Sequence, residues 1–311
     1  MINKNSKIYI AGHNGMVGSA CWRLFLDKGY NNLVGKSSAD LDLRDQKSVE
    51  YFFKKEKPKI IIDAAAKVGG IWANNQFPYD FLMENMLIQN NLIKYALEYN
   101  ISKFIFLGSS CVYPKNCPQP IKEEYLLTGS LEKTNQWYAI AKISGIKLCE
   151  SIFTNYNRQF ISLMPTNLYG PNDNFELKTS HVLPAIIKKF HNAKINGYKE
   201  IDLWGDGTPL REFLYTEDIA RAVLFACENK LNKHIYNIGS GDEFSIKELA
   251  LKIKNIIGFK GNIKWDSSMP NGTPRKLLDS SKINKLGWKK IIDIDKGIKF
   301  TYDWFLKNHK D

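Results

Sequence analysis

Three side chains in two short segments have the types and spacing of a site that reduces a carbonyl. Tyr138 and Lys142 stand four residues apart, a spacing that places both on one face of a helix. Free tyrosine has a pKa of about 10, so its phenol relays protons near neutrality only when a cation stabilises the phenolate. Ser109 offers a second hydroxyl. A carbonyl held between Ser109 and Tyr138 is polarised for attack by hydride, which a cofactor has to supply.

An apolar run places Ser109. Residues 104–110 predict a buried strand, and the carboxyl ends of such strands carry the catalytic groups of open α/β sheets. Cys111 lies two residues after Ser109, so on a continued strand their side chains point the same way. A lone cysteine is more often a small buried apolar residue. From the residues alone, Cys111 is either a core residue or part of the site.

A glycine-rich turn follows the first predicted strand, at residues 7–11, and precedes an amphipathic stretch at residues 19–28. Glycines in this position let the backbone approach a pyrophosphate, which meets the N-terminus of the helix. We therefore predict a dinucleotide-binding turn. Its lining residues are Gly12, Gly15, Met16, Val17 and Gly18.

Residues 33–35 are the second predicted strand. In a dinucleotide-binding unit, the segment that follows this strand determines whether NAD or NADP is bound. An acidic residue there favours NAD by binding the ribose, and an arginine favours NADP. The chain offers Lys36 and two serines before Asp42 and Leu43. We expect Lys36, Asp42 and Leu43 to line the cofactor, but the local chemistry leaves the choice of cofactor open.

The alternation of strands and helices predicts the fold class. Further strands are expected at residues 59–63 and 160–164, and helices at residues 78–100 and 138–156. This pattern indicates an α/β fold with a Rossmann-type doubly wound parallel sheet. From residue 172 the pattern loosens, which indicates a smaller C-terminal lobe. We expect a nucleotide-binding domain at residues 1–171 with a return segment of about 214–240, and a substrate-binding lobe at residues 172–213 and 241–311.

Residues 64–70, which follow the third predicted strand, are mostly small and permit close approach of a cofactor. Ala65 and Lys67 are expected to contact it. The segment that follows the fifth predicted strand carries Pro165, Asn167 and Leu168. We assign Pro165 and Leu168 to the cofactor, whereas Asn167 is either a sugar ligand or a turn residue.

Bulk composition excludes several classes of protein. With 311 residues and 44% hydrophobic content, the chain can bury a sizeable core. The five cysteines form no Cys-x-x-Cys pair, so neither a disulfide framework nor a metal site is predicted. No apolar run reaches the ~18 residues of a membrane span and no signal peptide is recognised, so we expect a cytoplasmic protein without a membrane partner. The net charge of +12 comes from scattered lysines, so no nucleic-acid partner is predicted.

Several motifs in order resemble those of a known family. They lie at residues 11–18, 64–71, 107–111, 165–171 and 272–279, spanning nearly the whole chain. Together with Tyr138 and Lys142 they are similar to the extended short-chain dehydrogenase/reductases that act on nucleotide sugars. More narrowly, they resemble the GDP-L-fucose synthase family.

The resemblance implies an NADPH-dependent enzyme that acts on a GDP-4-keto-6-deoxy sugar. In that family GDP-4-keto-6-deoxy-D-mannose is inverted at C3 and C5, and its 4-ketone is then reduced to give GDP-L-fucose. By resemblance, Tyr138 donates the proton to O4, Lys142 assists it and binds the ribose, and Ser109 binds the carbonyl. Cys111 and His181 are implied as base and acid of the epimerisation, and His181 also lines the cofactor. The chemistry is consistent, because a ketone acidifies the protons on both neighbouring carbons.

The same resemblance implies the ligands of the GDP moiety and the assembly. Lys189, Trp204, Arg211 and Arg275 are the implied GDP ligands. A homodimer is implied through the helices at residues 78–100 and 138–156, although their apolar faces also allow packing on the sheet alone. Asn14 and Ser38 stand where the family often has arginines facing the 2′-phosphate of NADPH. We expect NADPH with Lys36 compensating, and NADH as the alternative.

Other functions remain open. The chain could act only as a C4-reductase of a GDP-4-keto-hexose or heptose that is already epimerised. A 4,6-dehydratase or 4-epimerase of nucleotide sugars is a further alternative, although a dehydratase is expected to carry an acidic residue near Ser109, where Ser110 and Cys111 stand. A non-catalytic dinucleotide-sensing or RNA-associated protein would not need Ser109, Tyr138 and Lys142 in register.

Overall fold

The computed structural model describes residues 2–269, 271 and 273–309. The remaining positions are Met1, Pro270, Gly272, Lys310 and Asp311. The first residue of the motif at residues 272–279, Gly272, therefore lies outside the described residues. So do the first residue of the predicted nucleotide-binding domain and the last two of the predicted substrate lobe.

The first part of the chain alternates between strands and helices. The strands are β1 Ile8–Ala11, β2 Leu33–Val34, β3 Ile60–Asp63, β4 Lys103–Leu107, β5 Gln159–Pro165 and β6 Asn167–Tyr169. The helices are α1 Met16–Asp27, α2 Gln46–Glu56, α3 Ile71–Gln76, α4 Pro78–Glu98 and α5 Gln136–Tyr156. Short 3₁₀ turns lie at Ser110–Val112, Glu123–Tyr125 and Lys133–Asn135.

The second part contains shorter strands. They are β7 Glu200–Trp204, β8 Leu210–Tyr215, β9 Ile235–Ile238, β10 Glu243–Ser245, β11 Asn262–Asp266 and β12 Arg275–Lys276. The helices are α6 Val182–Ile195, α7 Thr216–Glu228, α8 Ile246–Ile257, α9 Ser281–Lys285 and α10 Ile294–Asn308.

A six-stranded parallel sheet has the order β2-β1-β3-β4-β5-β9. Its central strands are continuously buried because helices cover both faces. The predicted Rossmann-type doubly wound sheet is confirmed. β1 and β3 are neighbours while β2 lies outside β1, so the direction of winding reverses between β1 and β3. Ligands of open α/β sheets bind at this switch point, outside the carboxyl ends of the strands.

The two faces of this sheet have different helices. On one face, apolar side chains of β1 and β3 pack with α1 and α7 in a single core. On the other face, Phe104 and Phe106 of β4 pack with α4 and α5. Gln89 of α4 donates through Nε2 to the carbonyl oxygen of Ala141 at 2.6 Å, which joins α4 to α5. The helix that carries Tyr138 and Lys142 is thereby fixed against the sheet.

The remaining strands form a second structural region. β8 lies between antiparallel β10 and parallel β12, and it also pairs with β6. Helices α6, α8 and α10 share a separate apolar core. α7 and β9 belong to the large sheet and its core, as the predicted return segment requires. Ile283 and Trp288 also pack in that core, although they lie in the part of the chain predicted to form the substrate lobe, residues 241–311. The division into two domains stays a prediction.

The predicted strand at residues 104–110 is wrong at its end. β4 stops at Leu107, and Cys111 lies in a 3₁₀ turn. The Ser109 hydroxyl accepts a hydrogen bond from the Cys111 amide at 3.3 Å, and this cap favours the turn over a continued strand.

None of the helices in the described ranges is long and apolar enough to span a bilayer. The five cysteines are free thiols. Within the same ranges, histidine, cysteine and acidic residues form no group with the spacing of a metal site.

Asp218 connects the two structural regions and provides a test of the packing. It is 0% exposed, and its carboxylate oxygens accept hydrogen bonds from the amides of Ile291 and Ile292, both at 2.9 Å. Asp218→Asn leaves one buried amide without an acceptor, so we expect a loss of about 1–3 kcal/mol in the free energy of unfolding. Urea unfolding followed by circular dichroism measures this loss. An unchanged midpoint and slope would show that these hydrogen bonds contribute nothing.

Candidate active site

The glycine-rich turn forms a backbone cradle at the switch point. Gly12 has a φ of +75°, a conformation that side chains disfavour, and its carbonyl oxygen accepts from the Gly15 amide at 2.9 Å. A Cβ on Gly12 would lie 2.7 Å from the Ala64 carbonyl oxygen. Gly15 caps α1, whose first residues are Met16 and Val17. This cradle fits the pyrophosphate of a dinucleotide, because free amides and a helix N-terminus meet where side chains are missing.

The residues expected to read the ribose lie beside this turn. Lys36, Ser38 and Asn14 are all exposed. Asp42 accepts hydrogen bonds from Arg44 Nε and Nη2, each at 2.9 Å, and these bonds lower the pKa of Asp42. The Asp42 carboxylate is therefore already paired with a cation, whereas Lys36 presents an exposed ammonium on this segment, which also carries the exposed Asp40.

The segment after β3 is held by α4. Lys67 Nζ contacts Glu84 at 2.5 Å and Asp80 at 3.4 Å, so the Lys67 side chain points to α4. The amide and carbonyl of Lys67 bond to the side chain of Asn85, at 2.9 and 3.0 Å. Asn85 is a positioning residue that the sequence did not reveal, because it lies in a helix of mixed polarity. It holds the backbone near Ala65.

The remaining predicted cofactor residues lie on the other side of the switch point. Pro165 ends β5, and Leu168 lies on β6 and packs against the core of the large sheet. Asn167 donates through Nδ2 to the Glu212 carbonyl oxygen at 2.8 Å, so it holds β6 to β8. The amide oxygen Oδ1 is an acceptor that accepts no side-chain or backbone hydrogen bond from the described residues.

His181 caps α6, and the segment before it contacts the region after β3. The Gly70 amide donates to the Thr179 carbonyl oxygen at 2.9 Å. This contact brings His181 to the carboxyl-end side of the large sheet. Although His181 is exposed in the chain, desolvation by its surroundings lowers the pKa of the imidazole, and the Lys276 ammonium lowers it further.

Tyr138 and Lys142 share one face of α5, as predicted. Lys142 is 3% exposed, and its Nζ lies 4.6 Å from the ring centre of Phe106 and 5.8 Å from that of Tyr138. Burial lowers the pKa of Lys142, and the Asp63 carboxylate opposes that effect. Burial raises the pKa of Tyr138, with smaller contributions from Cys111 and Asp63. The phenol is therefore protonated at neutral pH, which suits a proton donor.

Ser109 and Cys111 meet through their side chains. Ser109 Oγ lies 2.8 Å from Cys111 Sγ, and either atom can be the donor. The 3₁₀ turn that carries Cys111 packs against α5, and Cys111 lies close enough to Tyr138 and Lys142 to influence the pKa of both. Cys111 also lines a cleft with Ser110, Asn135 and Lys276. The structure thus brings Ser109, Cys111, Tyr138 and Lys142 together.

The predicted GDP ligands lie in the second structural region. Trp204 is 62% exposed, and Lys189 Nζ stands 5.9 Å from its ring centre while donating to the Asp202 carbonyl oxygen. Arg211 donates through Nη1 to the carbonyl oxygen of Leu210, and burial lowers its pKa. Arg275 is held by Glu243 through two contacts at 2.7 and 2.8 Å. Arg275 is therefore already paired with a carboxylate, which a diphosphate would have to replace.

Lys276 was not predicted. Its Cα partners that of Arg211 where β12 pairs with β8, and its side chain lines the cleft that contains Cys111. Burial lowers the pKa of Lys276, and Cys111 raises it. The only signal in the sequence is its position after Arg275 in the motif at residues 272–279.

Asp63 was not predicted either, although it ends an otherwise apolar strand. It is 0% exposed, and its Oδ1 accepts from the Ala65 amide at 3.2 Å. Within the described ranges its Oδ2 has no hydrogen-bond donor. Burial raises the pKa of Asp63 to about 6, against the attraction of Lys142.

Comparison with known proteins gives a consistent result. The profile of the NAD dependent epimerase/dehydratase family matches residues 8–239. The chain is 53% identical to GDP-L-fucose synthase 1 of Arabidopsis thaliana over 308 residues, covering 99% of this chain and 95% of that protein. It is 46% identical to GDP-L-fucose synthase of Escherichia coli (strain K12), covering 97% of each chain.

A solved structure with a cofactor is also similar. It is described as a GDP-mannoheptose C4 reductase from Campylobacter jejuni with NADP bound. The TM-score is 0.91 at 40% sequence identity, and the match covers 98% of this chain and 100% of that one.

Gly18 tests the cofactor cradle. A Cβ at Gly18 would overlap the carbonyl oxygen of Gly12, which is backbone and cannot turn aside. We expect Gly18→Ala to weaken NADPH binding by about tenfold or more, because the amides of the turn move away from the pyrophosphate. Fluorescence titration with NADPH measures the dissociation constant. Gly241→Ala, strained by a φ of +80° but with free space around it, controls for a general loss of stability. Equal affinities of wild type and Gly18→Ala would contradict the cradle.

Proposed function

The chain belongs to the NAD dependent epimerase/dehydratase family and, within it, to the group of GDP-L-fucose synthases, and from this we propose its reaction. It is an NADPH-dependent epimerase and reductase of a GDP-4-keto-6-deoxy sugar. The sugar is inverted at C3 and C5, and its 4-ketone is then reduced, which gives GDP-L-fucose from GDP-4-keto-6-deoxy-D-mannose. The observation that carries this proposal is the 2.8 Å contact between Ser109 and Cys111, because it joins a carbonyl-binding hydroxyl to a thiol that can abstract a proton.

In the reduction, the C4 carbonyl oxygen is bound by Ser109 and Tyr138. NADPH, when bound, supplies the hydride to C4. Tyr138 donates its phenolic proton to O4, so the ketone becomes an alcohol and the phenol a phenolate. The Lys142 ammonium stabilises that phenolate, since an opposite charge nearby favours the charged form of a group. The raised pKa of Tyr138 keeps the proton in place until the substrate is bound.

The epimerisation uses the same carbonyl. Cys111 as a thiolate removes the proton from the carbon beside the ketone, and Ser109 and Tyr138 stabilise the resulting enolate through O4. His181 returns a proton to the opposite face of that carbon, which inverts it. As an acid, His181 has to be protonated, and its pKa is lowered below the ordinary value. The epimerisation therefore slows as the pH rises through that lowered pKa.

The GDP moiety binds across the second structural region. Trp204 offers an exposed aromatic face to the guanine, and Lys189 stands beside it. Arg211 and Arg275 bind the diphosphate, Arg275 after leaving Glu243. Asn167 binds the sugar through Oδ1. This assignment is supported by charge, because phosphate oxygens prefer guanidinium and ammonium donors.

The cofactor would be held by residues at the carboxyl ends of β1, β3 and β5. The proposed lining comprises Gly12, Gly15, Met16, Val17, Gly18, Lys36, Asp42, Leu43, Ala65, Lys67, Lys142, Pro165, Leu168 and His181. Preference for NADPH over NADH rests on Lys36, because the pairing of the Asp42 carboxylate with Arg44 makes it less available to a ribose hydroxyl.

A C4-reductase without epimerase activity is the second candidate. It is favoured by the similarity to the GDP-mannoheptose C4 reductase. Its substrate would be a GDP-4-keto-hexose or heptose that another enzyme has already epimerised. Cys111 beside Ser109, and His181 on the same side of the sheet, favour the bifunctional reaction over this candidate.

The proposed assembly is a homodimer in the cytoplasm, with the predicted division into a nucleotide-binding domain and a substrate lobe. α4 and α5 expose a row of apolar side chains that a second copy would cover. These are Met83, Leu87, Ile140 and Leu148, with 38%, 39%, 40% and 38% of their surface exposed.

The free thiols support a reducing compartment. The scattered basic charge gives no support to a nucleic-acid partner.

Cofactor preference tests the proposed role of Lys36. A charge-assisted hydrogen bond to the 2′-phosphate contributes about 1.5–3 kcal/mol, so we expect kcat/KM with NADPH to exceed that with NADH by about tenfold or more. Lys36→Ala should reduce this ratio, whereas Lys28→Ala, at the C-terminal end of α1 and so away from the glycine-rich turn, should leave it unchanged. Steady-state kinetics with both cofactors measure the ratio. A preference of the wild type for NADH would contradict the proposal.

Cys111→Ser separates the two activities. Serine is a far weaker base than a thiolate, so the variant should lose epimerisation but keep reduction of a GDP-4-keto sugar that is already inverted at C3 and C5. Product stereochemistry by NMR and NADPH consumption by absorbance report the two steps. Cys117→Ser is the matched control, because Cys117 is also a partly buried free thiol but lies outside the proposed machinery. If Cys111→Ser still forms the inverted product at the wild-type rate, Cys111 is not the base.

A further inference from the structure

Asp63 is a buried carboxylate whose hydrogen bonding is incomplete. It is 0% exposed; Oδ1 accepts one backbone amide, and Oδ2 has no donor in the described part of the chain. Burying a charged group with so few partners disfavours folding. An apolar residue would continue the pattern of Ile60, Ile61 and Ile62 at no such cost. The carboxylate therefore needs a different explanation from packing.

The geometry of the sheet places Asp63 beneath the catalytic pair. Asp63 partners Phe106 in the β3–β4 ladder, so their side chains lie on the same face. Lys142 Nζ lies 4.6 Å from the ring centre of Phe106. α5 contacts this face so closely that a Cβ on Gly145 would meet the Phe106 ring at 2.5 Å. The carboxylate and the ammonium thus share one narrow space between sheet and helix.

We propose that Asp63 is a positioning residue for the reduction step: from the sheet face that α5 covers, its carboxylate attracts the Lys142 ammonium and keeps it beside Tyr138. This inference rests on the proposed reductase function. Asp63 touches neither substrate nor cofactor in this role. It acts through Lys142 and Tyr138, on which its charge has the two effects that the reaction needs.

Other titratable groups surround this pair. Asp63 faces Tyr9 from β1 and Cys149 from α5, and both have a pKa raised by burial, so both are neutral in the working range. Lys142 faces Cys149 and, from the 3₁₀ turn, Cys111. Cys111 belongs to the proposed site and stays unchanged in the test. Among these neighbours Asp63 is the carboxylate that can balance the ammonium.

Neutralising Asp63 is expected to lower the pKa of both Lys142 and Tyr138. Lys142 loses the attraction that helps it to keep its proton, so its pKa falls further. Tyr138 loses the repulsion that helps to keep it protonated, so its pKa also falls. Both groups then lose their protons at lower pH. The alkaline limb of the pH profile of reduction therefore moves to lower pH.

The experiment measures kcat for reduction of an already inverted GDP-4-keto sugar by NADPH between pH 6 and 10, in the full chain. Asp63→Asn should move the alkaline limb down by about one pH unit, the size of shift that one neighbouring charge produces. Asp63→Leu, which removes the charge with an apolar side chain branched at the same carbon, should give the same shift if Asp63→Asn does not fold. Asp218→Asn is the matched control: another fully buried aspartate, expected to lower stability and leave the profile in place.

A folded Asp63 variant with the wild-type profile would overturn the inference. Failure of the proposed function is a separate result, since then the wild type itself does not consume NADPH with any GDP-4-keto sugar. In that case ¹³C NMR titration of the lysine ε carbons decides the inference without turnover. The Lys142 resonance should titrate at lower pH in Asp63→Asn than in the wild type, and equal midpoints would overturn the proposal.

Discussion

The buried ammonium of Lys142 is the constraint on which the site depends. Lys142 is 3% exposed on the face of α5 that covers the large sheet, and the Phe106 ring and the attraction of the Asp63 carboxylate offset part of its loss of water. Those two residues need β3 and β4 side by side, and Lys142 needs α5 tight against them. The parallel order of the sheet therefore does more than form a core. It creates the polar space in which a lysine can act on a tyrosine.

Much of this arrangement could be predicted from the sequence, because it rests on local patterns. Continuous apolar runs predicted β1, β3 and β5, and a four-residue spacing put Tyr138 and Lys142 on one helix face. The glycine turn is equally local, since a strand, a turn with Gly12 and Gly15, and a helix that contains Gly18 follow one another in the chain. Its contact with Ala64 confirms why glycine is needed at position 12.

The remainder depends on contacts between distant segments. β12 has only two residues, and only its pairing with β8 brings Lys276 beside Arg211. Asp63 looked like the polar end of a strand, because nothing nearby in sequence indicates that α5 covers it. The expected strand through residue 110 failed for a local reason, the Ser109 cap, which a pattern of apolar residues does not reveal. Ser109 and Cys111 still meet, through a turn instead of a strand.

The same C4 carbonyl takes part in the proposed epimerisation and in the proposed reduction. Because Cys111 lies beside Ser109, the thiol that would remove the proton stands next to the hydroxyl that would bind this carbonyl. The most direct measurement is the NMR spectrum of the product that the wild-type chain forms from GDP-4-keto-6-deoxy-D-mannose and NADPH in deuterated water. We expect deuterium at both C3 and C5 of a GDP-L-fucose product. A reduced product with hydrogen retained at both carbons would contradict the proposed epimerisation. The chain would then be a C4-reductase without epimerase activity.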